Sequence, residues 1–187
     1  MEKNLFLNLQ TKKMSEQIHI SADQEEMLPI TDSDGNVIGS AWRSECHNGS
    51  HLIHPVIHVH IYNSQGEIYL QKRSMAKKIQ PGKWDTAVGG HIVYGEEEAL
   101  ALKREAWEEA GVENGEFEKI TKYLWQGKVE TELINVYKCH YENPKIISVD
   151  EIDDGRFWTK QEIEQNIGKE IFTPNFESEY QRIKNLL

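Results

Sequence analysis

The sequence predicts a single α/β domain, a mixed sheet with helices packed outside it, and three observations point that way. Val56 to Tyr62 alternates with the two-residue period of a strand. Glu96 to Ala110 carries glutamates and small apolar residues at helical spacing, opened by Gly95 and closed by Gly111. Phe176, Tyr180, Ile183 and Leu186 recur at the spacing of a C-terminal helix. At 187 residues the chain is long enough for one domain with a real core and too short for two comfortable ones.

The elements follow in order. Residues 1–25 are polar and weakly patterned and are read as an N-terminal extension, with the domain at 26–187. Met27 to Asp32 reads as a strand, Asp34-Gly35 as a tight turn and Val37-Ile38 as the return strand. In the alternating strand, Ile57, Val59 and Ile61 point one way, while His58 and His60 share the other face with Val56 and Tyr62. Both histidines are read as polar residues on a partly open sheet face. Ser64 to Gly66 turns the chain into a strand at Glu67 to Lys72, and a basic loop with Lys77, Lys78, Pro81 and Gly82 leads to a short strand at Asp85 to Val88. After the glutamate-rich helix, Phe117 to Trp125 and Glu130 to His140 form a hairpin through Gln126-Gly127, and Phe157-Trp158 is a short strand.

Composition narrows the partners. The formal net charge of -10 argues against a protein that binds nucleic-acid polymers by neutralising their phosphates. A small anionic substrate stays admissible, because bound divalent cations invert the local field. Two cysteines, Cys46 and Cys139, are too few for a disulfide framework and fit a reducing compartment. No apolar run approaches the roughly 18 residues that span a membrane, and the N-terminal segment lacks the apolar core of a secretory signal. The expectation is a cytoplasmic protein whose partner is a small molecule, with neither nucleic acid nor membrane, and with a homodimer left open.

The helix at Glu96 to Ala110 carries the chemistry. On a wheel at about 100° per residue, Ala99, Leu102, Ala106 and Ala110 form a narrow stripe for the sheet. Glu98, Glu105, Glu108 and Glu109 form a second stripe beside it. Glu105, Glu108 and Glu109 stand at i, i+3 and i+4, so their carboxylates converge. Gathered like charges destabilise a bare helix, and a hard divalent cation such as Mg²⁺, which takes oxygen ligands, supplies a reason to gather them. Arg104 lies one turn before Glu108 and can orient its carboxylate. The cluster alone reads equally well as a solvated acidic face.

The wider spacing decides between them. Gly90, Glu96, Arg104-Glu105-Ala106, Glu108-Glu109 and Gly111-Val112 together resemble the Nudix box at every defined position. The resemblance implies a Nudix-type α/β/α sandwich and metal-dependent cleavage of a diphosphate linkage in a small molecule, nucleoside-diphosphate-linked or a related ester. It implies Mg²⁺ (or Mn²⁺) held by Glu105, Glu108 and Glu109 with the Gly89 or Gly90 carbonyl, and Glu96 and Arg104 as orienting residues. A glutamate takes the proton of the attacking water. Glu105 is the first candidate, and Glu151, in the acidic loop before Phe157, is the second.

The flanking residues are similar to a branch of that family related to isopentenyl-diphosphate isomerase. Arg43 to His47, His54, Gln71 to Ser74, Lys77, Pro81-Gly82 and Gly90-His91 carry this likeness, which extends over residues 27 to 160. It implies a second metal cluster from His47, His54, His91, Glu130 and Glu132, a set suited to Mn²⁺ or Zn²⁺. It also implies diphosphate-gripping roles for Arg43, Arg73 and Lys77. The isomerases place a catalytic cysteine where this chain has Gly89, and their helix lacks the full glutamate set. Hydrolysis is therefore the leading expectation, with an isomerase and a non-catalytic ligand-sensing module as alternatives. Trp84, Tyr94, Tyr123, Trp125 and the C-terminal helix are candidate pocket walls.

Overall fold

The computed structural model describes residues 25–187, so the expectation of an N-terminal extension at 1–25 falls almost wholly outside the described residues. A hairpin of β1 (Met27–Thr31) and β2 (Val37–Trp42) precedes a one-turn helix, α1 (Arg43–Cys46). The central sheet contains β3 (Ile53–Tyr62), β4 (Ile68–Arg73), β5 (Trp84–Thr86), β6 (Val88–His91), β7 (Phe117–Gln126), β8 (Thr131–His140) and β9 (Ile152–Trp158). Its order is β5-β4-β3-β8-β7, with β6 paired to β3 and β9 to β4. The β3–β8 pair is parallel and the other pairs are antiparallel, which makes the sheet mixed.

Helix α2 (Glu98–Ala110) covers one face of the sheet, and α3 (Lys160–Asn166) with α4 (Pro174–Ile183) covers the other. Both faces of β3 are therefore buried. Ile57, Val59 and Ile61 pack with Ala101, Leu102, Ala106 and Ala110 of α2. Val56 packs with Ile134, Val136 and Ile183 on the opposite side. A second apolar layer of Trp158, Phe172, Phe176 and Tyr180 fills the space between α4 and strands β4 and β9. Gly111 ends α2 in the left-handed conformation at φ 64°, and Thr173 caps α4 by accepting the Phe176 amide, with Pro174 in the first turn.

Several expectations change. Helix α2 starts at Glu98, with Glu97 as its N-cap, so the first turn is shorter than Glu96 to Ala110 implied. Ala99 is exposed, and Ala101 takes its place against the sheet, because the buried stripe leans towards Glu105 instead of lying beside it. Glu98 leaves the acidic group altogether and pairs with Lys119 and the Tyr137 hydroxyl. The strand at Asp85 to Val88 is two strands, β5 and β6, and the short strand at Phe157-Trp158 is the end of the seven-residue β9. His58 and His60 do not face solvent, since α4 closes that side of the sheet.

Strand β2 is the opposite case: Val37 and Ile38 lie in a strand yet stay exposed, because the hairpin forms its own two-stranded sheet. Truncating Ile57, which is fully buried, to alanine should cost roughly 2–5 kcal/mol in urea unfolding. Truncating Ile38 should stay within about 0.5 kcal/mol, and equal losses at the two positions would contradict this layering.

Candidate active site and metal centres

Strand β6 carries the point where the site is assembled. In its register against β3, Gly90 lies opposite Ile57 and shares the α2 side of the sheet, while Gly89 and His91 lie opposite His58 and Val56 on the α4 side. A side chain at Gly90 would overlap the Glu105 carboxylate, so the missing Cβ is what lets α2 seat that carboxylate against the β6 backbone.

Arg104 organises the acids around it. Its Nε and Nη2 donate to the two oxygens of Glu96 at 2.9 and 2.7 Å. Its Nη1 donates to Glu105 at 2.6 Å and to Glu108 at 3.3 Å, and Nη2 also reaches the His91 carbonyl at 3.1 Å. Burial disfavours the charged form of Glu96, but the Arg104 hydrogen bonds outweigh it and hold its carboxyl below the usual range. Glu105 is different: burial outweighs the same guanidinium and pushes its carboxyl up to about 7. Burial likewise raises Glu108. Glu109 accepts the Gly89 amide at 3.0 Å and Gln71 Nε2 at 2.9 Å, yet burial and the Glu105 charge push it up to about 8.

On the other face of the sheet, the rings of His47, His54 and His91 lie within 5.0–5.5 Å of one another, centroid to centroid. One ring nitrogen from each lies within 4.8 Å of the others. His47 Nδ1 contacts Glu130, and its Nε2 lies 3.1 Å from His91 Nε2. Parallel pairing sets His54 directly opposite Glu132, and Glu130 just precedes β8. Burial pulls His54 down and His91 well down, so both rings are disposed to be neutral, the form that ligates metals. Burial pushes Glu132 up to about 7, whereas the His47 hydrogen bond holds Glu130 low.

The other residues singled out by sequence are already partnered. Lys77 pairs with Glu151 at 2.7 Å in an exposed contact, and the Glu151 charge acts on Glu109. Arg73 lies 3.5 Å from Asp85 and donates to the Ile79 carbonyl at 3.3 Å. Arg43 pairs with Glu26 at 3.0 Å and contributes its positive charge at His54 and His91. Tyr94 and Trp125 stay beside the hairpin cavity and the α4 layer, respectively. Gln71 and Asp85 were not singled out for roles, since a glutamine or an aspartate on a strand carries no local signal of what it meets.

Two donor sets thus fit divalent cations by their chemistry. Glu105, Glu108 and Glu109 with the Gly90 backbone offer hard oxygen atoms under a single arginine. The histidine set offers a buried His54 Nε2 that has no hydrogen-bond partner among the described residues. An unpartnered ring nitrogen aimed into a group of ligating atoms is what a metal would satisfy.

Comparison with known proteins agrees with this architecture. The NUDIX domain family matches residues 52–176. The isopentenyl-diphosphate Delta-isomerase of Serratia proteamaculans is 33% identical over 59% of this chain and 60% of its own length. That of Corynebacterium efficiens is 32% identical over 51% of this chain and 50% of its own, so the chain spans 50–60% of the length of these relatives. An uncharacterized Nudix hydrolase, PA4841 of Pseudomonas aeruginosa, is 27% identical over 74% of this chain and 82% of its own. Among solved structures, DR0079 from Deinococcus radiodurans superposes with a TM-score of 0.72 at 22% identity, covering 84% of this chain and 98% of that one. With the box residues, the sheet order and the family match in agreement, the chain belongs to the NUDIX family, whose members use divalent metals.

Proposed function

We propose that this protein is a metal-dependent hydrolase of a small-molecule diphosphate, nucleoside-diphosphate-linked or a related ester. The observation that carries the reading is the complete acidic set, with Glu105 seated against Gly90 and bound by Arg104. Glu105, Glu108, Glu109 and the Gly90 carbonyl would hold Mg²⁺ (or Mn²⁺), which when bound supplies positive charge for the phosphate oxygens and lowers the pKa of water. Water oxygen bonds to phosphorus, the bridging P–O bond breaks, and the water proton passes to a carboxylate. Glu105 suits that task, since its carboxyl lies at about 7 and it is fixed by Arg104. Glu151 is the weaker base, because it is half exposed and paired with Lys77. Two free, buried cysteines are compatible with a cytoplasmic setting, and no helix among the described residues is long and apolar enough to cross a membrane. A phosphate-release screen over a diphosphate library with Mg²⁺ and Mn²⁺ tests the reading, and silence across the library with both metals would overturn it.

The convergence of His47, His54 and His91 favours a second reading, an isomerase-like use of the same scaffold. It also supports assigning those histidines with Glu130 and Glu132 as a second metal cluster. Gly89 offers no thiol, so incubation with isopentenyl diphosphate should give no allylic isomer by NMR. Isomerisation at an enzymic rate would reverse the choice between the two.

Replacing Glu108 or Glu109 by glutamine should lower turnover on the order of a hundred-fold or more with the fold intact, and wild-type rates in both folded variants would sink the ligand assignment. The raised carboxyls also set a pH dependence. Glu105, Glu109 and Glu132, at about 7, 8 and 7 in the folded chain against 4.5 for a free glutamate, bind more protons folded than unfolded between 4.5 and those values. Stability from these groups is complete below their unfolded pKa and is lost as pH rises through 7 to 8. In EDTA, the melting temperature should therefore fall from about pH 5 to about pH 8 and level off above that, and Mg²⁺ should reduce the fall by favouring the ionised carboxylates. A flat EDTA profile would show that these acids do not titrate as their burial requires.

A further inference from the structure

One buried polar group has no part in the chemistry described so far. The Glu179 carboxylate on α4 is fully buried and accepts three hydrogen bonds from strands of the sheet. His58 Nδ1 lies 2.9 Å from Oε2, His60 Nε2 lies 2.6 Å from Oε1, and the Tyr123 hydroxyl donates to Oε2 at 2.6 Å. Burial opposes the charge on Glu179, but His58 and His60 outweigh it and keep the carboxyl well below the usual range. A buried carboxylate of this kind requires a counter-charge, and His58, beside His60 and the Tyr123 hydroxyl, is placed to supply it. Three donors on one acid also exceed what is needed to fasten α4, whose core contacts are already apolar.

His58 is the member that faces the site. Its Nδ1 is committed to Glu179, while Nε2 has no hydrogen-bond partner among the described residues, and the residue keeps 9% of its surface accessible. The open edge lies under Gly89: a Cβ there would stand 3.7 Å from Cδ2 and 3.8 Å from Nε2. Any side chain at position 89 would cover that edge, and glycine leaves it uncovered. The Gly89 amide is in turn bound to Glu109. His58 Nε2 and the box carboxylates therefore meet at the same residue, from opposite faces of β6.

We propose that His58 grips the substrate, donating Nε2–H to a phosphate oxygen beside Gly89, and that Glu179, with Tyr123, is the positioning residue that aims the ring. This inference rests on the hydrolase reading and adds a contact to that site. The surroundings fit the role. The acids Glu105, Glu108, Glu109 and Glu132 crowd the site, whereas Arg104, Arg73 and Lys77 each already pair with a protein carboxylate. An anionic substrate needs a cation with a donor still free, and a doubly protonated imidazole held by a carboxylate supplies one. Burial lowers the basicity of His58, but the Glu179 charge and hydrogen bond raise it to about 9, in keeping with that state.

The test separates the two nitrogens. In His58→Asn the amide nitrogen replaces Nδ1–H towards Glu179, so the structural bond is kept and the outward donor is lost. Because asparagine also removes a counter-charge of Glu179, the proposal expects a lower melting temperature in a variant that still folds, unchanged Mn²⁺ affinity, and roughly ten- to hundred-fold weaker binding of methylenediphosphonate, a diphosphate analogue with a P–C–P bridge, with Mg²⁺ present. In the wild-type chain, the ¹⁵N signal of His58 Nε2 should move on titration with that analogue. Glu179→Gln should shift the His58 ring signals before any ligand is added and raise KM more than it lowers kcat. Wild-type analogue affinity in a folded Asn variant, or a stationary Nε2 signal at saturation, overturns the assignment. Should the Asn variant not fold, the wild-type titration alone decides. The hydrolase reading fails separately, by absence of turnover in the wild-type screen, and that outcome leaves the analogue titration readable.

Discussion

The site depends on one guanidinium. Arg104 touches Glu96, Glu105, Glu108 and the carbonyl of His91, and so ties the loop before α2, the helix itself and the end of β6 into one unit. Without it, carboxylates pressed against a sheet would repel one another and the helix would have no reason to lie so close. The planar fork matters as much as the charge, because its nitrogens reach different elements in fixed directions. The same contact joins the two donor groups: His91 offers its carbonyl to Arg104 and its ring to His47 and His54.

Strand alternation then sorts the chemistry. Along β6, Gly90 addresses the carboxylate helix, while Gly89 and His91 address the histidines on the other side. Along β3, Ile57, Val59 and Ile61 serve the apolar core under α2, while on the other face His58 and His60 serve Glu179 of α4 and His54 joins His47 and His91. Two glycines in succession keep the centre of this arrangement free of side chains. Oxygen-rich and nitrogen-rich donor sets can thus approach one short strand without crossing.

Legibility followed sequence distance. The glutamates of α2 could be read directly, since i, i+3 and i+4 spacing is a property of any helix, and the box spacing extended the reading to Gly90 and Arg104. The parallel pairing of β3 with β8 puts Glu132 beside His54, a neighbourhood that the spacing of neither strand displays. Ala99 was misplaced because the wheel has no knowledge of where the sheet ends, and its neighbour Ala101 met the sheet instead. His58 and His60 were illegible for a different reason. Their partner is 121 and 119 residues away, and no periodicity on β3 announces a carboxylate on a distant helix. Gln71 was hidden likewise, its bond to Glu109 crossing 38 residues from a strand to a helix.

The parallel β3–β8 pair also governs the order in which the protein comes into being. Parallel strands cannot be joined by a tight turn, and here β4, β5, β6, α2 and β7 all intervene before β8 can dock. Closing so large a loop is entropically slow relative to forming a local hairpin. The carboxylate helix and its strand can collapse early on nearby contacts. The histidine group waits for Glu130, and the Glu179 network waits for the last helix. A nascent chain from which α4 has not yet emerged would therefore hold its carboxylate and histidine groups while His58, His60 and Tyr123 still lacked the Glu179 carboxylate that they share.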